Sequence, residues 1–370
     1  MFFTIFIFIL ILGLFIFVHE FGHFIVAKKM GVKVEEFGFG FPPRIFGIKR
    51  GETIYSLNWI PLGGFVKIYG EDGLEVTSQK LTEKELKGRA FYEKSIGQRA
   101  MIIIAGVTMN VLSAAVFLSI GYMIGQPTAV DENELLRYPN AKVQILAVSK
   151  DSPAEEVGIK RGDEILTVKL PSSENIEIQK RSQFQDLIDE YKGEKISLTL
   201  SRAGKLLYVT TIPRENPPSG EGPLGIQLEN VTIIAYPFHK AIWEGLKETA
   251  RLLIFILFAI GEIFRKLFVT GEVAVDVAGP VGIVAITGEV ARLGFLYLLR
   301  LIALISINLA IVNLLPIPAL DGGRLLFLLI EKIKGSPVNQ KIERMAHTIG
   351  FVLLIILMIL ITFRDVAKLF

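Results

Sequence analysis

Residues 2–18 form an apolar run broken only by Thr4 and Gly13, and the run ends in His19-Glu20-Phe21-Gly22-His23. Crossing a bilayer takes about 20 apolar residues in a helix. Residues 2–18 continued through this motif meet that length. So do 100–125, 293–320 and 348–363, the last extended upstream by Met345-Ala346-His347. Arg300, inside the third stretch, can snorkel from near its end. A fifth stretch, 252–261, has ten uncharged residues between Arg251 and Glu262, with Trp243 and Leu246 upstream giving it an apolar face. That length suits a helix lying in the interface better than a span.

Between the second and third spans the period changes. Residues 141–148 and 195–200 alternate like strands. Residues 182–191 repeat Phe184, Leu187, Ile188 and Tyr191 at helical spacing. Asp151-Ser152-Pro153-Ala154 opens a short helix that ends at Gly158, with Asp151 or Ser152 as its cap. Gly162-Asp163-Glu164-Ile165-Leu166 reads as a turn into a strand, and Asn216-Pro217-Pro218-Ser219-Gly220 as a loop. About 100 residues suffice for one small α/β domain.

Composition sharpens this picture. The chain of 370 residues is 51% hydrophobic with a mean hydropathy of +0.50, which excludes an ordinary soluble protein. The net charge is only +3, and no basic run points to nucleic acid. Cysteine is absent, so disulfides and thiolate metal sites are excluded and any metal takes histidine and carboxylate ligands. The first segment lacks a basic leader and a small-residue cleavage site, so it is read as a retained helix. Residues 28–99 hold thirteen Lys and Arg. The positive-inside rule therefore puts this loop in the cytoplasm, and the N-terminus and residues 126–292 outside. His19 then lies late in one inward-going helix and Asp321 late in another, at similar depth. An extra span between 126 and 292 would separate them, so if the two share a site 252–261 does not cross.

An ionisable cluster at the end of an apolar run is costly in lipid and marks a functional site. H-E-x-x-H on a helix is a zinc-binding, hydrolytic pattern. His19 and His23 fall about 40° apart on one helix face, so both rings reach one ion. Catalytic zinc keeps three protein ligands and an open position. Asp321, uncompensated at the end of an uncharged run, is the candidate third ligand. Glu20, about 100° round from His19, is the candidate general base toward the attacking water and can pass the proton to the leaving amine.

The order and spacing of several motifs resemble the site-2 protease family of intramembrane zinc metalloproteases, in its bacterial PDZ-containing branch. They are His19–His23; Gly38-Phe39-Gly40-Phe41-Pro42; Pro61-Leu62-Gly63-Gly64-Phe65; Gly106 and Asn110; Gly279-Pro280-Val281-Gly282; and Asn308 followed by Asn313 through Gly323, with Leu320-Asp321-Gly322 at its core. Ser152 to Ile165 resembles the circularly permuted PDZ domain, which binds extended peptides at a sheet edge. Gly222-Pro223-Leu224-Gly225-Ile226 looks like the loop that caps a ligand's carboxylate there, making Leu224, Gly225 and Ile226 candidate peptide-binding residues.

The resemblance implies a fold of four transmembrane helices with a membrane-associated β-hairpin and one inserted extracytoplasmic PDZ domain. Its expected parts are 1–29, the first span; 30–99, the cytoplasmic loop, with the hairpin at 53–69; 100–125, the second span; 127–228, the PDZ domain; 236–292, amphipathic interfacial helices; 293–323, the third span; and 345–365, the fourth. It implies Zn2+ on His19, His23 and Asp321. It implies a multi-pass protein of a bacterial inner membrane that cleaves single-pass membrane proteins in the bilayer, anti-sigma factors and remnant signal peptides in an envelope stress response, with an upstream protease trimming them first. Strands 53–60 and 65–69 around Pro61–Gly64 would pair with an unwound substrate, making Gly63, Gly64 and Phe65 substrate-binding candidates. Pro316 and Pro318 break the helix just before Asp321. Asn313 and Asn308 would hold substrate backbone. Asn110 is assigned to packing, and His239 and His347 have no role. The rival reading is a non-enzymatic membrane PDZ scaffold with a structural metal, against which Glu20 argues. Inverted repeats that would signal a transporter are not seen.

Overall fold

The computed structural model describes residues 2–71, 87–172, 174–269 and 279–367. The portions of the expected cytoplasmic loop at 72–86 and of the interfacial region at 270–278 lie outside the described residues. In chain order the elements begin with α1 (Phe2–Lys29), β1 (Val34–Arg50), β2 (Thr53–Ile68), α2 (Ile96–Ile124), β3 (Gln126–Ala129), β4 (Lys142–Val148) and α3 (Pro153–Glu156). There follow β5 (Glu164–Lys169), β6 (Asn175–Glu177), α4 (Arg181–Glu190), β7 (Ile196–Arg202), β8 (Lys205–Thr211) and β9 (Ile226–Ile234). The chain closes with α5 (Phe238–Val269), α6 (Pro280–Leu293), α7 (Phe295–Leu314), α8 (Asp321–Lys334) and α9 (Gln340–Ala367). Two compact units result: 1–120 with 242–291 and 298–370, and 121–241 with 292–297.

Four helices of the first unit, α1, α2, α7 and α9, are long and apolar enough to cross a membrane. Their interior is built from side chains that sequence periodicity alone does not single out. Phe15 packs edge-on to Phe117, and Leu118 of α2 meets Ala303 and Ile307 of α7 in one buried cluster. The fourth span keeps most of its apolar residues exposed, Phe351 and Leu353 among them. In a bilayer that face meets lipid, which exacts no hydrophobic penalty.

Two expectations are corrected here. The third span does not run to 323: α7 stops at Leu314, and Asp321 is the first residue of a separate helix, α8. Pro316 and Pro318 lack the N–H a continuing helix needs, and the chain turns through 315–320. The hairpin does not fold on itself within 53–69. Instead β2 pairs with β1, closing at Arg50–Thr53, while Phe37, Gly38 and Phe39 pair both with Tyr55, Ser56 and Leu57 and with Val66, Phe65 and Gly64. The two halves of β2 thus flank one segment of β1. Pro42 and Pro43 interrupt the ladder between the Phe41 and Arg44 pairs, which is why 34–50 did not read as a strand. The far end of this sheet exposes Phe41, Ile45, Phe46, Ile48, Leu57 and Trp59.

The stretch 252–261 is the middle of a helix of 32 residues, α5. Its charges pair along its own surface, Glu248 with Arg251 and Glu262 with Arg265. Leu252, Leu253, Ile256 and Ile260 pack on the α2–α7 cluster, and Trp243, Phe255 and Phe258 are exposed. Arg300 donates to Glu248 at 3.3 Å, so α7 and α5 are tied by an ion pair.

The second unit is a seven-stranded antiparallel sheet ordered β3-β9-β4-β5-β7-β8, with β6 beside β5. Val143, Ile145, Ile165, Leu198 and Leu200 alternate inward from their strands and meet Phe184 and Ile188 of α4. Ser152 caps α3: its hydroxyl accepts from the Glu155 N–H at 3.2 Å and donates to the Ser149 carbonyl. Asp163, fully buried, holds Arg202 through both carboxylate oxygens, and this pairing raises the Arg202 guanidinium above its usual pKa.

Candidate metal centre

The HExxH motif occupies the last turns of α1. His19 and His23 are both buried, and their rings lie 4.7 Å apart at nearly a right angle. Their Nε2 atoms are 3.1 Å from each other. Asp321 arrives from the other side: its Oδ2 is 3.0 Å from His19 Nε2 and 3.4 Å from His23 Nε2. The meeting of His19 with Asp321 is the condition on which the depth argument rested.

The residues present fit a metal ion. The three potential ligand atoms lie within 4.8 Å of one another, the one such cluster among the described residues. His23 Nδ1 is 2.8 Å from the Ile102 carbonyl. A carbonyl only accepts, so Nδ1 carries the proton and the neutral ring turns a lone pair inward at Nε2. The buried Asp321 Oδ2 has no hydrogen-bond partner. Inward lone pairs facing an orphaned carboxylate oxygen are an arrangement that a cation relieves.

Close packing makes this convergence possible. A Cβ at Gly106 would lie 2.6 Å from His23 Cε1 and 2.8 Å from His19 Cε1, so only glycine leaves room for both rings. Gly22 likewise faces the Ala105 backbone and Met109, bringing α1 against α2. Beside Asp321, Gly322 and Gly323 sit against the carbonyls of Leu314, Leu315 and Ile317. Asp321 also benefits from standing in the first turn of α8, where the helix dipole favours a negative charge.

The connection before Asp321 is held from α9. Ala319 has φ +84°, in the left-handed region that a non-glycine residue adopts at a cost. Its N–H donates to His347 Nδ1 at 2.8 Å, and Gly350 one turn on packs against Pro318. His347 was given no role from sequence, because nothing nearby in the chain pairs with it. Asn110 was assigned to packing, yet its side-chain amide lies 3.2 Å from His19 Nδ1.

Glu20 stands beside the cluster of His19, His23 and Asp321 rather than within it. Its Oε2 accepts from the Val66 N–H at 3.0 Å. Gly64 packs near its Cγ, and Gly63 lies against Phe41 and Ile16. Residues 65–71 then line a cavity of about 1040 Å3 that contains Glu20, His23 and Asp321. Arg324, one turn beyond Asp321, pairs there with Glu71. A second, smaller cavity is lined by His19, Glu20 and Asp321 together with Ile16, Leu309, Asn313 and Leu320.

The structure separates the two candidate asparagines. Asn313 Nδ2 is 3.5 Å from His19 Nε2 and faces the small cavity. Asn308 is exposed and donates to the Leu304 carbonyl of its own helix, away from the cluster. Five residues turn an α-helix by about 140° from the starting face, so the two side chains leave α7 in different directions and only Asn313 adjoins His19. The candidate peptide loop packs into its own domain. The Leu224 side chain is part of the domain core, the Gly225 N–H donates to Gly222, and the carbonyls of Leu224 and Gly225 accept from Ala154 and Ser149. Ile226 begins β9 opposite Val148.

A family model described as peptidase family M50 matches residues 7–357. A zinc metalloprotease RasP of Geobacillus kaustophilus is 32% identical, with 98% of this chain and 97% of that protein covered. A putative zinc metalloprotease of Clostridium acetobutylicum is 37% identical over 99% and 98% of the two chains. Another from Clostridium perfringens is 35% identical over 95% of each.

Proposed function

The chain belongs to peptidase family M50 and is a multi-pass zinc metalloprotease of the site-2 type; from this we propose that it cuts single-pass membrane proteins within or beside the bilayer, with zinc on His19, His23 and Asp321 and Glu20 as general base. The observation that carries the assignment is the approach of Asp321 Oδ2 to both histidine Nε2 atoms, with the Glu20 carboxylate fixed alongside by the Val66 N–H. Zinc, when bound, polarises the scissile carbonyl and lowers the pKa of water beside it. Glu20 takes the proton from the attacking water and returns it to the leaving amine. The Val66 N–H holds the Glu20 carboxylate toward the centre. Asn313 orients substrate backbone from the small cavity.

A transmembrane substrate must be unwound before its peptide bonds can be attacked, and its freed backbone groups then need partners. Residues 65–71, which Gly63 and Gly64 precede in the chain, are one wall of the large cavity, and the β2 residues among them offer strand backbone to such a segment. The exposed apolar tip of the β1–β2 sheet rests in the membrane. We further infer that the N-terminus and residues 127–228 are extracytoplasmic, that 127–228 is a PDZ-type domain gating access, and that anti-sigma factors or remnant signal peptides trimmed by an upstream protease are the clients.

The test is cleavage of a single-pass substrate, truncated outside the membrane, by wild type and Glu20→Gln, with bound zinc assayed in both. Cleavage lost with zinc retained is expected. Equal cleavage by both proteins would sink the assignment of Glu20, and cleavage by neither, across several truncated substrates, would sink the protease reading of this site.

A further inference from the structure

His19 Nε2 faces Asp321 and His23, so Nε2 is its ligating atom. A neutral imidazole with its lone pair at Nε2 carries its proton at Nδ1. The His19 Nδ1 proton therefore needs an acceptor. Among the described residues, the group placed to supply it is the side chain of Asn110, at 3.2 Å. Asn110 is fully buried, and its Oδ1 has no hydrogen-bond partner with the amide nitrogen turned toward His19. Amide oxygen and nitrogen exchange places by a half-turn about the terminal side-chain bond, and the bonding network decides between them. With the oxygen toward His19, the buried acceptor gains a donor and the Nδ1 proton gains an acceptor.

We propose that Asn110 is a positioning residue of the metal centre: its Oδ1 accepts the His19 Nδ1–H and fixes that ring's tautomer and plane. The inference rests on the assignment of His19 as a metal ligand. It makes α2 the element that orients both histidines, His23 through the Ile102 carbonyl and His19 through Asn110. The turn that bears Asn110 is itself anchored, since the Ser306 hydroxyl of α7 donates to the Asn110 carbonyl at 2.8 Å and meets the Ser113 hydroxyl. Outer partners of this kind lock a ligating ring and raise its basicity, and losing one typically weakens metal binding by about 10- to 100-fold.

The experiment measures zinc affinity by chelator competition in the full-length protein in detergent, together with melting of the metal-free form. Asn110→Leu keeps the side chain's size and removes the acceptor; Asn110→Asp keeps an acceptor at the same distance. We expect Asn110→Leu to bind zinc about 10- to 100-fold more weakly while its metal-free melting stays close to wild type, and Asn110→Asp to restore the affinity to within a few-fold. Should Asn110→Leu fail to fold, Asn110→Ala takes its place in the comparison. Wild-type affinity in the variant without the acceptor overturns the proposal, as does an equal loss in Asn110→Asp, which would reduce Asn110 to packing. His19→Ala is measured in parallel. If it binds zinc as wild type does, the ligand assignment has failed rather than the role of Asn110.

Discussion

Gly106→Ala adds a single methyl group at the one place where both histidine rings pass a helix backbone. The new Cβ would lie 2.6 Å from His23 Cε1 and 2.8 Å from His19 Cε1, and closer still to His23 Nε2. Carbon atoms in contact prefer about 3.5–4.0 Å, so the rings must move by most of an ångström. His23 cannot yield freely, because its Nδ1 is bonded to the Ile102 carbonyl at 2.8 Å. Overpacking of this kind costs about 1–3 kcal/mol. An ion held by both Nε2 atoms leaves neither ring free to turn from the new methyl, so the cost is greatest in the metal-bound state. At 1.4 kcal/mol per tenfold, zinc binding weakens by roughly 5- to 150-fold. The assay is chelator competition on full-length protein, with Gly22→Ala as its counterpart. The Gly22 methyl would meet the Ala105 backbone and Met109, so it forces α1 from α2 whether or not zinc is present and lowers metal-free stability. The reasoning is refuted if Gly106→Ala binds zinc like wild type, or if it loses metal-free stability as Gly22→Ala does.

Three further outcomes follow from contacts elsewhere. His347→Ala strands the Ala319 N–H, so stability should fall by about 1–3 kcal/mol with weaker zinc binding; a variant that keeps wild-type melting and affinity would show that the 315–320 connection holds itself. Ser152→Ala removes both the cap of α3 and a bond to the Ser149 carbonyl, and should destabilise the second unit by about 1–2 kcal/mol, read as faster hydrogen exchange in residues 149–156. Glu132 has its carboxyl held below the usual glutamate pKa by the Ser182 backbone N–H and then by the Ser182 hydroxyl. The folded value is depressed, so the stability it lends is complete above the unfolded pKa, about 4.3, and is lost as pH falls through the lower folded value. Protection at the start of α4 should therefore fall in acid in wild type, and Glu132→Gln should lack that acid-dependent loss.

Much of this was legible in the chain. The four spans announce themselves because lipid demands a long uncharged helix, and α1, α2, α7 and α9 are where the apolar runs lie. The His19–His23 face follows from helix geometry, and the strands at 142–148 and 196–202 from their alternation. The illegible parts share a cause. β1 was missed because its partners are 54–57 and 64–68 together, and Pro42-Pro43 within it mimics a loop. The full length of α5 was missed because Glu248, Arg251, Glu262 and Arg265 look like boundaries until their pairing along the helix is seen. Asn308 was grouped with Asn313 through the family resemblance, which carries no information on the direction of either side chain: Asn308 bonds to its own helix while Asn313 adjoins His19.

The same contrast applies inside the metal centre, and it divides the ligands from the groups that aim them. The ligand residue types are signalled locally, because charge at the end of an apolar run is conspicuous. Their orientation is set by contacts 79, 91 and 28 residues distant in the chain: His23 to Ile102, His19 to Asn110, and Ala319 to His347. None of these partners stands out by charge or period. Each nevertheless matters, because a buried backbone or ring N–H left without an acceptor is costly. The broken helix before Asp321 frees several such groups, and each is taken up close by: Leu315 on Val312, Ile317 on Leu315, Leu320 on Ile317, Ala319 on His347. A centre assembled this way is rigid because its alternatives are unsatisfied donors in an apolar medium. Damage to an aiming group should therefore cost metal affinity nearly as surely as damage to a ligand.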